Sequence, residues 1–167
     1  MKENNLLLRF LPIHVINPRA NRERSIDTGE ELESLIDTLG GKIIDRVIQK
    51  LNNPDMATFV GKGKVQEIAQ IVKEKKIDVV VLNNTAKPKQ VFNLKTALQV
   101  ANPNIEVLDR VDLILHIFDK HAVTKEAKLQ IELARMRYMG PRIYGMGFVM
   151  SRQGGGIGTS GVGETNT

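Results

Sequence analysis

Arg152-Gln153-Gly154-Gly155-Gly156-Ile157-Gly158-Thr159 is the stretch whose residue types most directly suggest chemistry. Glycines lack a Cβ, so successive backbone N–H groups can turn toward one concavity and hold an anion, and Arg152 adds a charge beside it. A phosphate loop that serves nucleotide hydrolysis needs more. Its last glycine is followed by Lys and then Ser or Thr, the lysine meeting the outer phosphates and the hydroxyl binding Mg²⁺. Here Gly158 is followed by Thr159-Ser160, with no lysine. The segment is not a hydrolytic phosphate loop. Two readings remain from the residues: an RNA-probing loop that orders on binding, or an unstructured tail.

Gly61-Lys62-Gly63-Lys64 falls between an apolar run and a helical pattern, where helix N-terminal amides and two lysines favour phosphate. A tight strand-to-helix turn with solvated lysines explains the same residues. Lys128, Arg135 and Arg142 recur every seven residues and can form one basic stripe for phosphate contacts, or an ordinary solvated face. Tyr138 and Tyr144 lie nearby, as stacking groups for bases or as packed side chains. His14, His116 and His121 have no metal-ligand spacing, and His116, among Leu113, Ile117 and Phe118, reads as a buried or edge histidine. Asp112 and Asp119 share a helical face without a partner base, and Asp109 reads as a helix cap. No catalytic constellation is visible.

The elements that position these groups alternate. A first strand begins in Leu6-Leu7-Leu8-Arg9-Phe10-Leu11, and Asn17 to Arg24, with Pro18, reads as a loop. The capping-box spacing of Thr28 and Glu31 predicts a helix through Leu32, Leu35, Ile36 and Leu39, stopped by Gly40-Gly41. Ile43 to Leu51 alternates as one strand, with Ile43, Asp45 and Val47 on one side. A helix bearing Val65, Ile68 and Val72 precedes the buried strand Val79-Val80-Val81-Leu82. Pro88 opens the next helix, and Ile105 to Leu108 forms the last strand. This order predicts an α/β fold with a largely parallel sheet. After Asp109 come an apolar helix, Val111 to Phe118, and a longer one capped by Thr124, with Leu129, Leu133 and Met136 as its apolar stripe. The last 23 residues hold 8 of the 14 glycines.

Composition sets the remaining bounds. At 41% hydrophobic and 4% aromatic, the 167 residues can build one core of Ile, Leu and Val. The absence of cysteine excludes disulfides and thiolate metal sites. No run is long enough to span a membrane and the start is not a secretory signal, so a cytoplasmic monomer is the simplest expectation. Of the net charge of +5, +3 falls in residues 121–167, which points to a polyanionic partner.

The stretches Phe59 to Glu67, Pro88 to Leu94, Val107 to Arg110, Leu113 to Phe118, Thr124 to Ala134 and Ser151 to Thr159 together resemble the N-terminal region of the HflX family of ribosome-associated GTPases. The resemblance covers nearly the whole chain, and its last block is the most specific. It implies a four-stranded α/β subdomain over 1–109, a helical arm over 110–144 and a Gly-rich loop over 145–167 that joins the arm to a returning helix. It further implies a GTP-binding domain beyond Thr167, with GTP and Mg²⁺ needed there and no cofactor on this chain. Expected partners are the large ribosomal subunit and its rRNA. The loop would reach toward the peptidyl-transferase centre, and the complete GTPase would split stalled ribosomes under stress. RNA contacts would fall to Lys128, Arg135, Arg142, Arg152, Gln153, Gly154, Gly155, Gly156, Gly158 and Thr159. Where the family continues Gly-Thr-Arg-Gly-Pro-Gly-Glu-Thr, this chain has Ser160 for Arg and Val162 for Pro, losing a phosphate contact and a rigid turn. Two alternatives stay open: an ATP-binding α/β module using Gly61 to Lys64, and a stand-alone regulator that competes on the ribosome.

Overall fold

A computed structural model describes residues 7–138. The chain alternates strands and helices: β1 (Arg9–Ile16), α1 (Arg22–Leu39), β2 (Lys42–Ile43), β3 (Val47–Lys50), α2 (Lys62–Lys75), β4 (Val79–Leu82), α3 (Pro88–Leu98), β5 (Glu106–Asp109) and α4 (Arg110–His121). A further helix, α5, occupies residues 125–138. All strand pairs are parallel, and β2 and β3 lie end to end beside β1, so the sheet has four positions with β1 and β4 at its centre. This is the expected α/β architecture.

The first strand runs further than its apolar run suggested, through Pro12 to Ile16. Proline is tolerated there for a local reason. The even-numbered residues of β1 bond toward β2 and β3, as Leu8 and Phe10 do through their carbonyls to the amides of Lys42 and Ile44, and Ile16 to that of Leu51. The missing N–H of Pro12 would point the same way. The neighbouring strand is bulged at that point: β1 advances from Phe10 to Ile13 while its neighbour advances from Ile43 to Val47, one residue more. A bulge is where a sheet accepts a residue that cannot donate. The bulge also corrects the single-strand expectation for Ile43 to Leu51. Ile43 joins the cluster of Phe10, Leu32 and Ile36, whereas Val47 joins that of Leu11, Ile13 and Ile68, so the two face opposite sides.

Helix α1 begins at Arg22, six residues before Thr28. Asn21 is its N-cap, accepting from the Glu23 amide at 3.0 Å, while the Thr28 hydroxyl donates to the Ser25 carbonyl inside the helix. Asn outranks Thr as a cap. The helix stops as expected. Gly40 takes a left-handed φ of 90°, the Gly40 and Gly41 amides close onto the Asp37 and Ile36 carbonyls, and a Cβ at Gly41 would overlap the Phe10 ring.

Helices α1 and α4 cover one face through Leu32, Ile36 and Leu113. Helices α2 and α3 cover the other through Ile68, Val72, Leu94 and Leu98. Each such fully buried side chain contributes roughly 1.5–3 kcal/mol. Helix α4, first assigned to the arm, thus doubles as a layer of the sandwich. At its start Asp109 is a capping residue as expected: the Asp112 amide donates to its Oδ1 at 3.0 Å, and the Asp109 amide donates to Asp112 Oδ2 at 3.2 Å.

Candidate functional site

The Gly61 to Lys64 turn is built by the loop before it. The Asp55 carboxylate accepts from the Ala57 and Thr58 amides at 2.8 and 3.0 Å, and Asp55 and Phe59 exchange backbone hydrogen bonds, with Phe59 at a left-handed φ of 68°. Those amides, with Lys62 nearby, hold the Asp55 carboxyl below the usual carboxylate range. Gly61 then caps α2, but its amide donates to Gln49 Oε1 at 3.0 Å, and Lys64 Nζ pairs with Glu67 at 2.8 Å. A phosphate arriving here would find one amide and one lysine already engaged, and Lys62 exposed.

The arm helix α5 is capped by Thr124, whose Oγ1 accepts from the Ala127 amide at 3.1 Å. Its less exposed face, Ala127, Ile131, Arg135 and Tyr138, differs from the stripe expected. Ala127, Ile131 and Ala134 line a hollow with Leu115 and Phe118 of α4, while Leu129, Leu133 and Met136 are 64%, 49% and 64% exposed. At the end of the described helix, Tyr138 is packed: its hydroxyl donates to the buried Asp109 Oδ2 at 2.6 Å. Of the expected basic stripe, Lys128 is exposed and Arg135 is not its equal. Arg135 turns toward α4, with Nη2 buried and 3.8 Å from Asp119, in a groove shared with Val107 and Leu108 of β5. Lys125 and Arg137 are exposed instead. Arg142, Tyr144, Arg152, Gln153, Gly154, Gly155, Gly156, Gly158 and Thr159 lie outside the described residues.

A constellation that sequence reasoning missed lies at the carboxyl end of β1. His14 is buried, and His116, read as a buried or edge histidine, is exposed. Burial lowers the His14 pKa, and the more distant Glu33 and Arg46 act on it in opposite directions. Its Nδ1 is 3.2 Å from Asn83 Nδ2. Asn83 Oδ1 accepts from Arg110 Nη1 at 2.9 Å, and Arg110 Nη2 pairs with Glu31 at 2.7 Å. Because Arg110 can only donate, Asn83 must present its NH₂ to His14, and the neutral imidazole carries its proton on Nε2. His14 lines a cavity of about 630 Å³ between α1 and β3, and an adjoining cleft of about 480 Å³ opens over the ends of β1, β3 and β4. Among the described residues no group of acidic, His or Cys side chains could hold a metal ion, and no helix is long and apolar enough to cross a membrane.

A parallel sheet layered by helices, followed by a capped and docked arm helix, is the architecture of the N-terminal and middle regions of a class of GTP-binding proteins. The family model described as GTP-binding GTPase N-terminal matches residues 27–119, and that described as GTP-binding GTPase Middle Region matches residues 121–167. A GTP-binding protein from Sulfolobus solfataricus, solved in complex with GDP, superposes with a TM-score of 0.64 at 25% identity, over 87% of this chain and 42% of that one. The GTPase HflX of Alkalihalophilus pseudofirmus is 46% identical over 135 residues, 81% of this chain and 31% of the relative. That of Flavobacterium psychrophilum is 37% identical over 164 residues, 98% of this chain and 38% of the relative. This chain belongs to the HflX GTPase family, and it spans about a third of the length of these relatives.

Proposed function

We propose that this chain is the RNA-contacting N-terminal module of an HflX-type GTPase and that it docks on the large ribosomal subunit. GTP binding with Mg²⁺, GTP hydrolysis and the splitting of stalled ribosomes then belong to the complete protein and its G domain. The observation that carries this reading is the way the arm is held. Tyr138 ties α5 to Asp109 and Arg135 turns toward Asp119 of α4, and Lys125, Lys128 and Arg137 are exposed on the helix so held. The charge excess of residues 121–167 extends that basic character through Arg142 and Arg152 to the glycine-rich segment. Phosphate contacts from such side chains position a protein on RNA without reading sequence. Arg135, drawn toward Asp119, contributes less than Lys128.

Pelleting of the chain with purified 50S subunits over a range of salt tests the proposal. Retention should fall as salt rises, by roughly 0.7 in the log–log slope for each phosphate contact to single-stranded RNA. Replacing Lys125, Lys128 and Arg137 together by Glu should abolish it. Retention that ignores both salt and these three charges would sink the reading.

A further inference from the structure

We propose that the open edge of β5 takes up a short extended peptide carrying a carboxylate side chain, which adds to the sheet as one more strand. In the order β2-β1-β4-β5, β5 has a neighbour on one side only among the described residues. Glu106 gives its amide to the Asp78 carbonyl on the β4 side. Successive residues of a strand turn their backbone groups to alternate sides, so Val107 points its N–H and C=O to the open edge. Val107 is 4% exposed, so little water reaches these groups, and buried backbone groups need a partner. An added strand supplies both the acceptor and the donor that they lack.

The edge is the floor of a groove. Helices α3 and α4 cover opposite faces of the sheet, and their sides form its two walls, with half-buried Val91 and Phe92 on one and Leu115 on the other. The groove holds about 250 Å³, below the ~300–1,000 Å³ of sites for drug-sized ligands, which suits a few residues of chain. Side chains of a strand alternate between faces, so one would meet the Phe92 wall and the next the α4 wall. On the α4 side stands Arg135. Its Nη2 is buried without a hydrogen-bond partner, and the Asp119 carboxylate, 3.8 Å away, is beyond bonding range. The other charges of the lining are engaged: Lys95 pairs with Glu106 at 3.1 Å, and Asp112 accepts from the Asp109 amide in the α4 cap. A carboxylate on the incoming strand matches the guanidinium that is left over. An RNA phosphate would meet Arg135 but leave the Val107 backbone and the Phe92 wall unused. A wholly apolar peptide would leave Arg135 unpaired.

The test uses the whole chain labelled with ¹⁵N and a capped peptide, acetyl-Thr-Glu-Val-Glu-Thr-amide. Saturable shifts of the Val107 and Leu108 amides and of the Arg135 Nε–H are expected, with slower exchange of the Val107 amide. The same peptide with its alternate amides N-methylated keeps its charge but cannot pair with a strand, and it should lose the shifts. A lysine peptide, acetyl-Thr-Lys-Val-Lys-Thr-amide, should bind more weakly than the acidic one. Arg135→Gln should weaken the acidic peptide about tenfold or more, as loss of a hydrogen bond between charged groups does, with circular dichroism unchanged. Four outcomes overturn the proposal: no saturable shift with the acidic peptide; shifts that survive N-methylation; shifts at Val107 with a short unstructured RNA in place of the peptide; and Val107 shifts that follow protein concentration alone, which would give the edge to a second copy of the chain.

Discussion

Asp109 shows how much one buried carboxylate can organise. Its Oδ1 caps α4, and its Oδ2 accepts from the Ala86 amide at 3.1 Å and from the Tyr138 hydroxyl at 2.6 Å, so it ties a strand end, a loop and two helices. Asp109→Ala removes a cap and leaves buried donors without their acceptor, and it should lower unfolding stability by roughly 2–4 kcal/mol in urea denaturation. The capping role was legible from Asp109 standing before an apolar helix; the bond to Tyr138 was not, because it joins groups 29 residues apart. His14 adds a pH dependence. Burial lowers its pKa, so the folded chain takes up a proton less readily than the unfolded chain does. Its contribution is complete above the unfolded value of about 6.5 and is lost as pH falls from there toward the folded value. The urea midpoint should therefore drop between about pH 7.5 and pH 5.5, and His14→Gln should flatten the part of that drop that His14 causes. An unchanged profile in the variant would show that the imidazole is not its source.

At the scale of elements, the stop of α1 was readable and its start was not. Gly40-Gly41 announces an end through backbone freedom, a property of the residues themselves. Gly40→Ala places a Cβ at a φ of 90°, and Gly41→Ala drives one into the Phe10 ring. Each should cost about 1–3 kcal/mol by thermal or urea unfolding, with Gly41→Ala the larger because aromatic ring and strand must both shift. The start at Asn21 competed with a capping-box pattern at Thr28, and in the folded chain it is the Asn21 side chain that accepts the capping hydrogen bond. Helix α5 carried a similar ambiguity, two apolar faces on one helix. The less exposed face carries Ala127, Ile131, Arg135 and Tyr138, so Ile131→Ala should loosen the arm and cost about 1–2 kcal/mol. Leu133→Lys should stay within about 0.5 kcal/mol of the parent, as exposed positions do. A large loss at Leu133 with none at Ile131 would reverse the assignment of faces.

For the whole molecule, charge and architecture divide the labour. The sheet and its four covering helices form a unit whose ion pairs are mostly internal: Arg46 with Glu33, Lys75 with Asp45 at 2.6 Å and Lys95 with Glu106 at 3.1 Å. The lysine and a backbone amide keep the Asp45 carboxyl below its ordinary range, and Arg46 does the same for Glu33. Of the net charge of +5, +3 falls in residues 121–167, the part on which the proposed contact with a polyanion draws.

Alternation of strand and helix, the glycine stop, the Asp109 and Thr124 caps, the absence of a hydrolytic phosphate loop and the family were all determined by the sequence itself. Each of these depends on residue type or on spacing within a few residues, and local chemistry decides it. Tertiary structure alone decided the Pro12 bulge that turns Val47 to the opposite face from Ile43, the burial of His14 rather than His116, and the diversion of Arg135 from the basic stripe. These outcomes are set by partners 30 to 70 positions away or on another element, such as Asn83 for His14 and Asp119 for Arg135. No local pattern encodes which distant group will stand opposite, so packing has the last word.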